Sequence, residues 1–139
     1  MTKLKEKYNK EKAKELLKMR KDVRCSCNAK MPDKDRAKFG TCRCDGFSFS
    51  STVADVLANA LFQYIADASQ HIIRPQEDWE TMERHAKAIR EYAEVDNWDL
   101  LSDRKNKDGV CVSTLYLKKE SKWREAMFWL TENWQTLWW

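Results

Sequence analysis

From Thr52 to His71, apolar residues recur at helical spacing without a break: Val53, Val56, Leu57, Ala60, Leu61, Tyr64, Ile65 and Ala68. Steps of three and four place such positions on one side of an α-helix, so the spacing predicts a helix over 52–71 and a mainly helical core around it. Thr52 with Asp55 resembles a capping box with Asp in the usual place of Glu, and Arg74-Pro75 ends the pattern. A second amphipathic helix is expected over 77–95, with Trp79, Met82, Ala86, Ile89 and Ala93 on one face. The short connection makes the two an antiparallel hairpin. A third is expected over 122–137, carrying Trp123, Met127, Leu130, Trp134 and Leu137. Between them, 97–102 reads as a short helical turn with Trp98, Leu100 and Leu101. The segment 110–117 is rich in β-branched residues and reads either as a strand or as part of the last helix.

The N-terminal third has a different character. Residues 2–22 are rich in Lys, Glu, Ala and Leu, which are good helix formers. Leu4, Tyr8, Leu16, Met19 and Val23 form a rough stripe that Lys12 interrupts. Then come Cys25-x-Cys27, fourteen further residues, and Cys42-x-Cys44. Asp45-Gly46 between two alternating segments is a hairpin signal, so 41–44 and 47–50 are expected to pair as strands. On an extended strand, residues i and i+2 point the same way, and each Cys-x-Cys pair then offers both sulfurs to one ion. Four thiolates suit a tetrahedral structural zinc. The commoner knuckle spacing has two intervening residues, so disulfides, unpaired thiols and an iron–sulfur cluster stay open beside zinc. A four-cysteine set would close the coordination sphere and serve as a staple, not a catalyst. The expected fold is therefore mainly α: three to four core helices with a small four-cysteine zinc-binding β-hairpin element near the N-terminus. Residues 1–50 form the basic helix and zinc element, and 51–139 the helical core, together one compact unit.

Charge follows the same boundary. Residues 1–45 hold 15 Lys+Arg against 7 Asp+Glu, whereas the remainder is acidic, within an overall formal charge of +4. On the first helix Lys3, Lys7, Lys10, Lys14, Lys18 and Lys21 read either as phosphate contacts or as a solvated face, with Glu6, Glu11 and Glu15 interleaved. Around the cysteines, Arg20, Lys21, Arg24, Lys30, Lys34, Arg36, Lys38 and Arg43 concentrate further positive charge. A basic zinc module is a familiar nucleic-acid arrangement. The residues expected to meet an anionic partner are Lys14, Lys18, Arg20, Lys21, Arg24, Lys30, Arg36, Lys38 and Arg43.

Other readings narrow the field. Gly occurs only at 40, 46 and 109, which removes Gly-rich phosphate loops and the dinucleotide fingerprint. No secretory signal or membrane-spanning run is visible, so a cytoplasmic, soluble protein with no membrane partner is expected. Of the C-terminal aromatics, Trp123 and Trp134 fit the core stripe. Phe128, Trp129, Trp138 and Trp139 cannot all face it, and mark an expected protein or oligomer interface. His71 and His85 belong to no nucleophile–base pattern. Cys111, in an alternating apolar segment, reads as a buried inert thiol. Glu77, Asp78, Glu80 and Glu83 suit the start of their helix through its dipole, and Asp96, Asp99 and Asp103 belong to no motif. The leading expectation is a non-enzymatic binding protein contacting nucleic acid or a nucleic-acid–protein complex. The alternative is a small protein-directed regulator or inhibitor, such as a phage-type accessory protein that binds and blocks a host enzyme. An enzyme with a site assembled across helices is the third.

Overall fold

The computed structural model describes residues 7–22, 38–39, 49–93, 105, 107–109 and 111–137. Its elements are α1 (Lys10–Lys18), α2 (Phe49–Ala68), α3 (Gln76–Ala93), α4 (Val112–Asn133) and a closing 3-10 turn, Trp134–Thr136. The class is mainly α, and the β-structure among the described residues is one isolated antiparallel bridge, Lys105 to Cys111. No helix among the described residues is long and apolar enough to cross a membrane. The four cysteines, residues 41–48 of the expected hairpin and the expected turn at 97–102 lie outside the described residues.

α1 is shorter than the expected 2–22. It starts where Asn9 caps it, the side-chain oxygen accepting from Lys12 N–H at 2.9 Å. Glu11 in its first turn and Lys18 in its last complement the helix dipole. It ends at Met19, whose N–H turns back to Leu16 O at 3.1 Å.

α2 begins three residues before the expected cap. Thr52 is therefore inside the helix, and Phe49 and Ser50 are helical instead of part of a strand. Asp55 does not close a capping box; it pairs with Arg90 of α3 at 2.6 Å. The buried face is also rotated from the expected one. Ala54, Ala58, Leu61, Phe62, Ile65, Ala66 and Ala68 are buried, while Val53 and Val56 are exposed. The cause is composition: α2 carries only two charged residues and is apolar over most of its surface. Periodicity cannot choose one face in that case. Packing chooses the face where Ala54 and Ala58 let a neighbouring backbone approach.

α3 lies at the centre. It packs on α2 and α4, and α1 packs on α2. Contacts of Arg90 with Asp55 at one end and Trp79 with Tyr64 at the other make α2 and α3 antiparallel, as expected. His85 against Trp129 and Tyr92 against Trp123 do the same for α3 and α4. Trp79, Met82, Ala86 and Ile89 are buried as the spacing predicts, and so are Glu83, His85 and Ala88.

Within the expected 110–117 segment, the described residues from Val112 onward are helical. Gly109 takes a positive φ of 77° and turns the chain. From Val112 the backbone is helical, with Thr114 N–H bonding to Cys111 O at 3.1 Å. Burial of Tyr116 against the core side outweighs the β-propensity of its neighbours. Cys111 is half-buried at the helix start, more accessible than expected.

Removing a fully buried ring should reveal which face of α2 is structural. Phe62→Ala is expected to cost about 3–5 kcal/mol in urea unfolding, whereas Val56→Ser on the outward face should stay within about 0.5 kcal/mol. Equal losses at both positions would contradict the observed rotation of α2.

Candidate anionic-partner surface and neighbouring clefts

The basic residues of the N-terminal segment divide into two groups by position. Residues 7–22 carry seven Lys or Arg against three Asp or Glu. Lys7 and Lys12 face α3. Lys7 Nζ lies 2.8 Å from Glu80 Oε1, and Lys12 Nζ lies 2.7 Å from Glu83 Oε1. Lys10, Lys14 and Lys18, spaced four residues apart, form one exposed row with no ion-pair partner within 4 Å among the described residues. Glu11 and Glu15 line the adjacent row, and Glu15 leans to Lys12 at 3.5 Å.

The interruption at Lys12 is thus an inward-facing charge with its own receptor. Glu83 is only 7 % exposed. It accepts a hydrogen bond from Tyr8 Oη at 2.8 Å, and Lys87 Nζ lies 3.6 Å away. Burial works to raise the Glu83 pKa, but the bonds and charges of Lys12 and Tyr8 outweigh it and hold the carboxyl below its usual range. Burial works to lower Lys12, and Glu83 more than offsets it, so the ammonium is held above its usual range. Tyr8 is raised by burial and by Glu83. Helix position explained Glu77 and Asp78, which lie in the first turn of α3, but not Glu83. The signal was present in its register: Glu83 sits between Met82 and Ala86 on the inward side.

Of the residues expected to meet an anionic partner, Lys14 and Lys18 stand on the exposed row. Arg20 is exposed, but its guanidinium is engaged, donating from Nε to Leu17 O at 2.9 Å and from Nη1 to Gln63 Oε1 at 2.5 Å. Lys21 is held by its backbone: its N–H donates to Asn59 Oδ1 and its carbonyl accepts from Asn59 Nδ2, both at 2.8 Å. Its side chain remains exposed. Lys38 is exposed beside Phe39, 5.2 Å from the ring centroid. Arg24, Lys30, Arg36 and Arg43 lie outside the described residues. No cluster of three or more His, Cys, Asp or Glu that would hold a metal occurs among the described residues, a set that excludes Cys25, Cys27, Cys42 and Cys44.

The aromatic expectations are partly reversed. Phe128 is 66 % exposed, whereas Trp129 is half-buried and stacked on His85 at 5.0 Å between ring centroids. Trp123 packs inward, stacked on Tyr92 at 4.4 Å. Trp134, expected in the core, is 59 % exposed because the helix gives way to a 3-10 turn there and the stripe loses its register. Trp138 and Trp139 lie outside the described residues. Trp134 borders an apolar cleft of about 380 Å³ between α2 and the end of α4, lined by Leu57, Ala60, Leu61, Tyr64, Leu130 and Leu137. Among the described residues, no charged one lines it.

Comparison with protein-family models, curated proteins and solved structures finds no match.

The buried carboxylate makes stability fall in acid. The folded pKa of Glu83 is below its unfolded value of about 4.3. Its contribution is fully present above that value and is lost as pH falls through the folded pKa. Glu83→Ala, which leaves Lys12 without its counter-ion, is expected to cost about 3 kcal/mol at pH 7. Glu83→Gln should flatten the decline that sets in below about pH 4.3 in urea titrations. An unchanged acid profile in Glu83→Gln would remove Glu83 as the cause.

Proposed function

We propose that the chain is a non-enzymatic binding protein that contacts nucleic acid, or a nucleic-acid–protein complex, through its basic N-terminal half. The observation that carries this reading is the row Lys10, Lys14 and Lys18. The carboxylates of α3 take up Lys7 and Lys12, and this row stays in solvent without an ion-pair partner among the described residues. Lysines four apart on a helix repeat about every 6 Å, close to the phosphate spacing along one strand of an extended nucleic acid. Such contacts position a protein on the polymer without reading its sequence.

In this reading a structural zinc held by Cys25, Cys27, Cys42 and Cys44 staples the segment between α1 and α2. The donor set is the soft tetrahedral one that zinc favours. The chain ends permit it. Lys21 is clamped to Asn59, roughly 15 Å along α2 from Phe49 at the helical rise. Cys25 follows Lys21 by four residues and Cys44 precedes Phe49 by five. Together those spans reach roughly 30 Å when extended, ample for both pairs to meet one ion. The metal would supply folding energy and leave no open position for substrate.

A second reading has its own support. The uncharged cleft beside Trp134, in a chain that is 35% charged, suits an apolar segment of a protein partner. That is the surface a protein-directed regulator or inhibitor, such as one that blocks a host enzyme, would use.

Titration of the zinc-loaded protein with short DNA and RNA across a salt series tests the first reading. Micromolar or tighter binding is expected, with affinity falling steeply as salt rises. The triple substitution Lys10→Gln, Lys14→Gln and Lys18→Gln should reduce the slope of log affinity against log salt by about 2–3. No binding at low salt overturns the reading, and a stoichiometric protein partner that withstands high salt would favour the second. Metal analysis should return one zinc per chain, and chelation or Cys42→Ser should lower the melting temperature. A chain that purifies without metal, with all four thiols oxidised in pairs, would overturn the staple.

A further inference from the structure

A second cleft lies between α3 and α4, and none of its lining residues belongs to α1. It measures about 480 Å³ and is lined by Arg84, His85, Lys87, Ala88, Glu91, Lys122 and Glu125. At its floor is His85, 4 % exposed, with one face of its ring stacked on Trp129. No hydrogen bond is made to either ring nitrogen by any described residue. Polar groups away from bulk water are normally paired, and this imidazole lines the cleft without a hydrogen-bond partner among the described residues. Above it, Arg84 and Lys122 are exposed and have no ion-pair partner within 4 Å among the described residues. Lys87 leans toward Glu83 at 3.6 Å. Among the described residues, the acidic groups lining the cleft are Glu91 and Glu125. The small side chain of Ala88, between the turns that carry His85 and Glu91, keeps the floor open.

We propose that this cleft binds a phosphoryl group, with His85 donating a hydrogen bond from its floor and Arg84, Lys87 and Lys122 supplying the opposing charge. Among the described residues, three cations line the cleft against two carboxylates, and although Lys87 also leans to Glu83, that balance favours an anion. Burial is the main cause of the lowered His85 pKa, and of the two nearby charges Arg84 acts on it more strongly than Glu125 does. A neutral imidazole has one N–H to donate. A tetrahedral anion has enough oxygens to satisfy that donor, a guanidinium fork and two ammonium groups together. This inference does not rest on the N-terminal reading, because none of its residues belongs to the first 45.

The chain has two histidines, so ring resonances in NMR separate them. His71, exposed at the turn after α2, serves as the internal control. Inorganic phosphate and, separately, a short oligothymidylate are titrated against the full chain as purified, at constant ionic strength. The expected result is a saturable shift of the His85 ring signals and a rise in its titration midpoint, with His71 unmoved. A response to inorganic phosphate identifies a free phosphoryl group as sufficient. A response to the oligomer alone identifies a phosphodiester in a chain, and either supports the cleft as the site. Arg84→Gln with Lys122→Gln, both at exposed positions, should weaken the response about tenfold, roughly the loss of one good charge-assisted bond. Lys10→Gln with Lys14→Gln should leave the phosphate response intact. The proposal is overturned if neither probe moves His85, if His85 and His71 move together, or if the Arg84/Lys122 variant responds like the parent.

Discussion

The docking of the N-terminal helix depends on one buried carboxylate. Glu83 receives Tyr8 and Lys12 from the first segment and lies near Lys87 of its own helix. A buried charge is costly unless it is paired and hydrogen-bonded. That requirement makes the contact specific: Tyr8, just before the Asn9 cap, and Lys12, in the first turn of α1, must reach the same carboxylate. Leu16, a further turn along, is then fully buried. Gln70 fixes the same end by donating to Tyr8 O at 3.1 Å.

That docking sorts the charges of the segment. With Lys7 and Lys12 directed to α3, the remaining lysines of α1 have only solvent or a partner to face. The same sorting occurs at α2. Arg90 joins Asp55 and Asn59, and Asn59 also holds the backbone of Lys21. The point where the chain leaves α1 for the cysteine segment is therefore set by a polar side chain on α2 together with Leu17 and Met19, which pack against the core. Function and fold are linked here: the contacts that seat α1 also decide which cations remain available.

α3 organises the rest because each of its sides is used differently. Trp79, Met82, Ala86 and Ile89 form the apolar core, Glu83 serves α1, and His85 with Tyr92 meets the aromatic side of α4. The Tyr92 hydroxyl, 3.4 Å from that of Tyr116, is pushed up to about 12 by this contact and by burial. Both clefts follow from this centrality. α2 and α4 each pack on α3, which leaves an apolar cleft where they diverge and a polar one at the solvent edge of α3 and α4.

What was legible in the chain beforehand was whatever depends on local spacing and composition. The existence of three core helices, the antiparallel α2–α3 hairpin and the inward face of α3 all follow from periodicity, because one residue per 100° places apolar side chains together wherever the helix packs. The charge asymmetry and the paired cysteines are likewise properties of order alone. Tertiary structure decided the rest. It selected the buried face of α2, because an almost uncharged helix offers several equivalent faces and only neighbours break the tie. It turned Lys12 from an interruption into an anchor and Glu83 from a dipole-side carboxylate into its receptor, because a pair 71 residues apart leaves no local trace. It carried 112–117 into helix, brought Trp129 onto His85 and left Trp134 outside. In each case the deciding energy came from burial against a distant segment, which spacing along the chain does not encode.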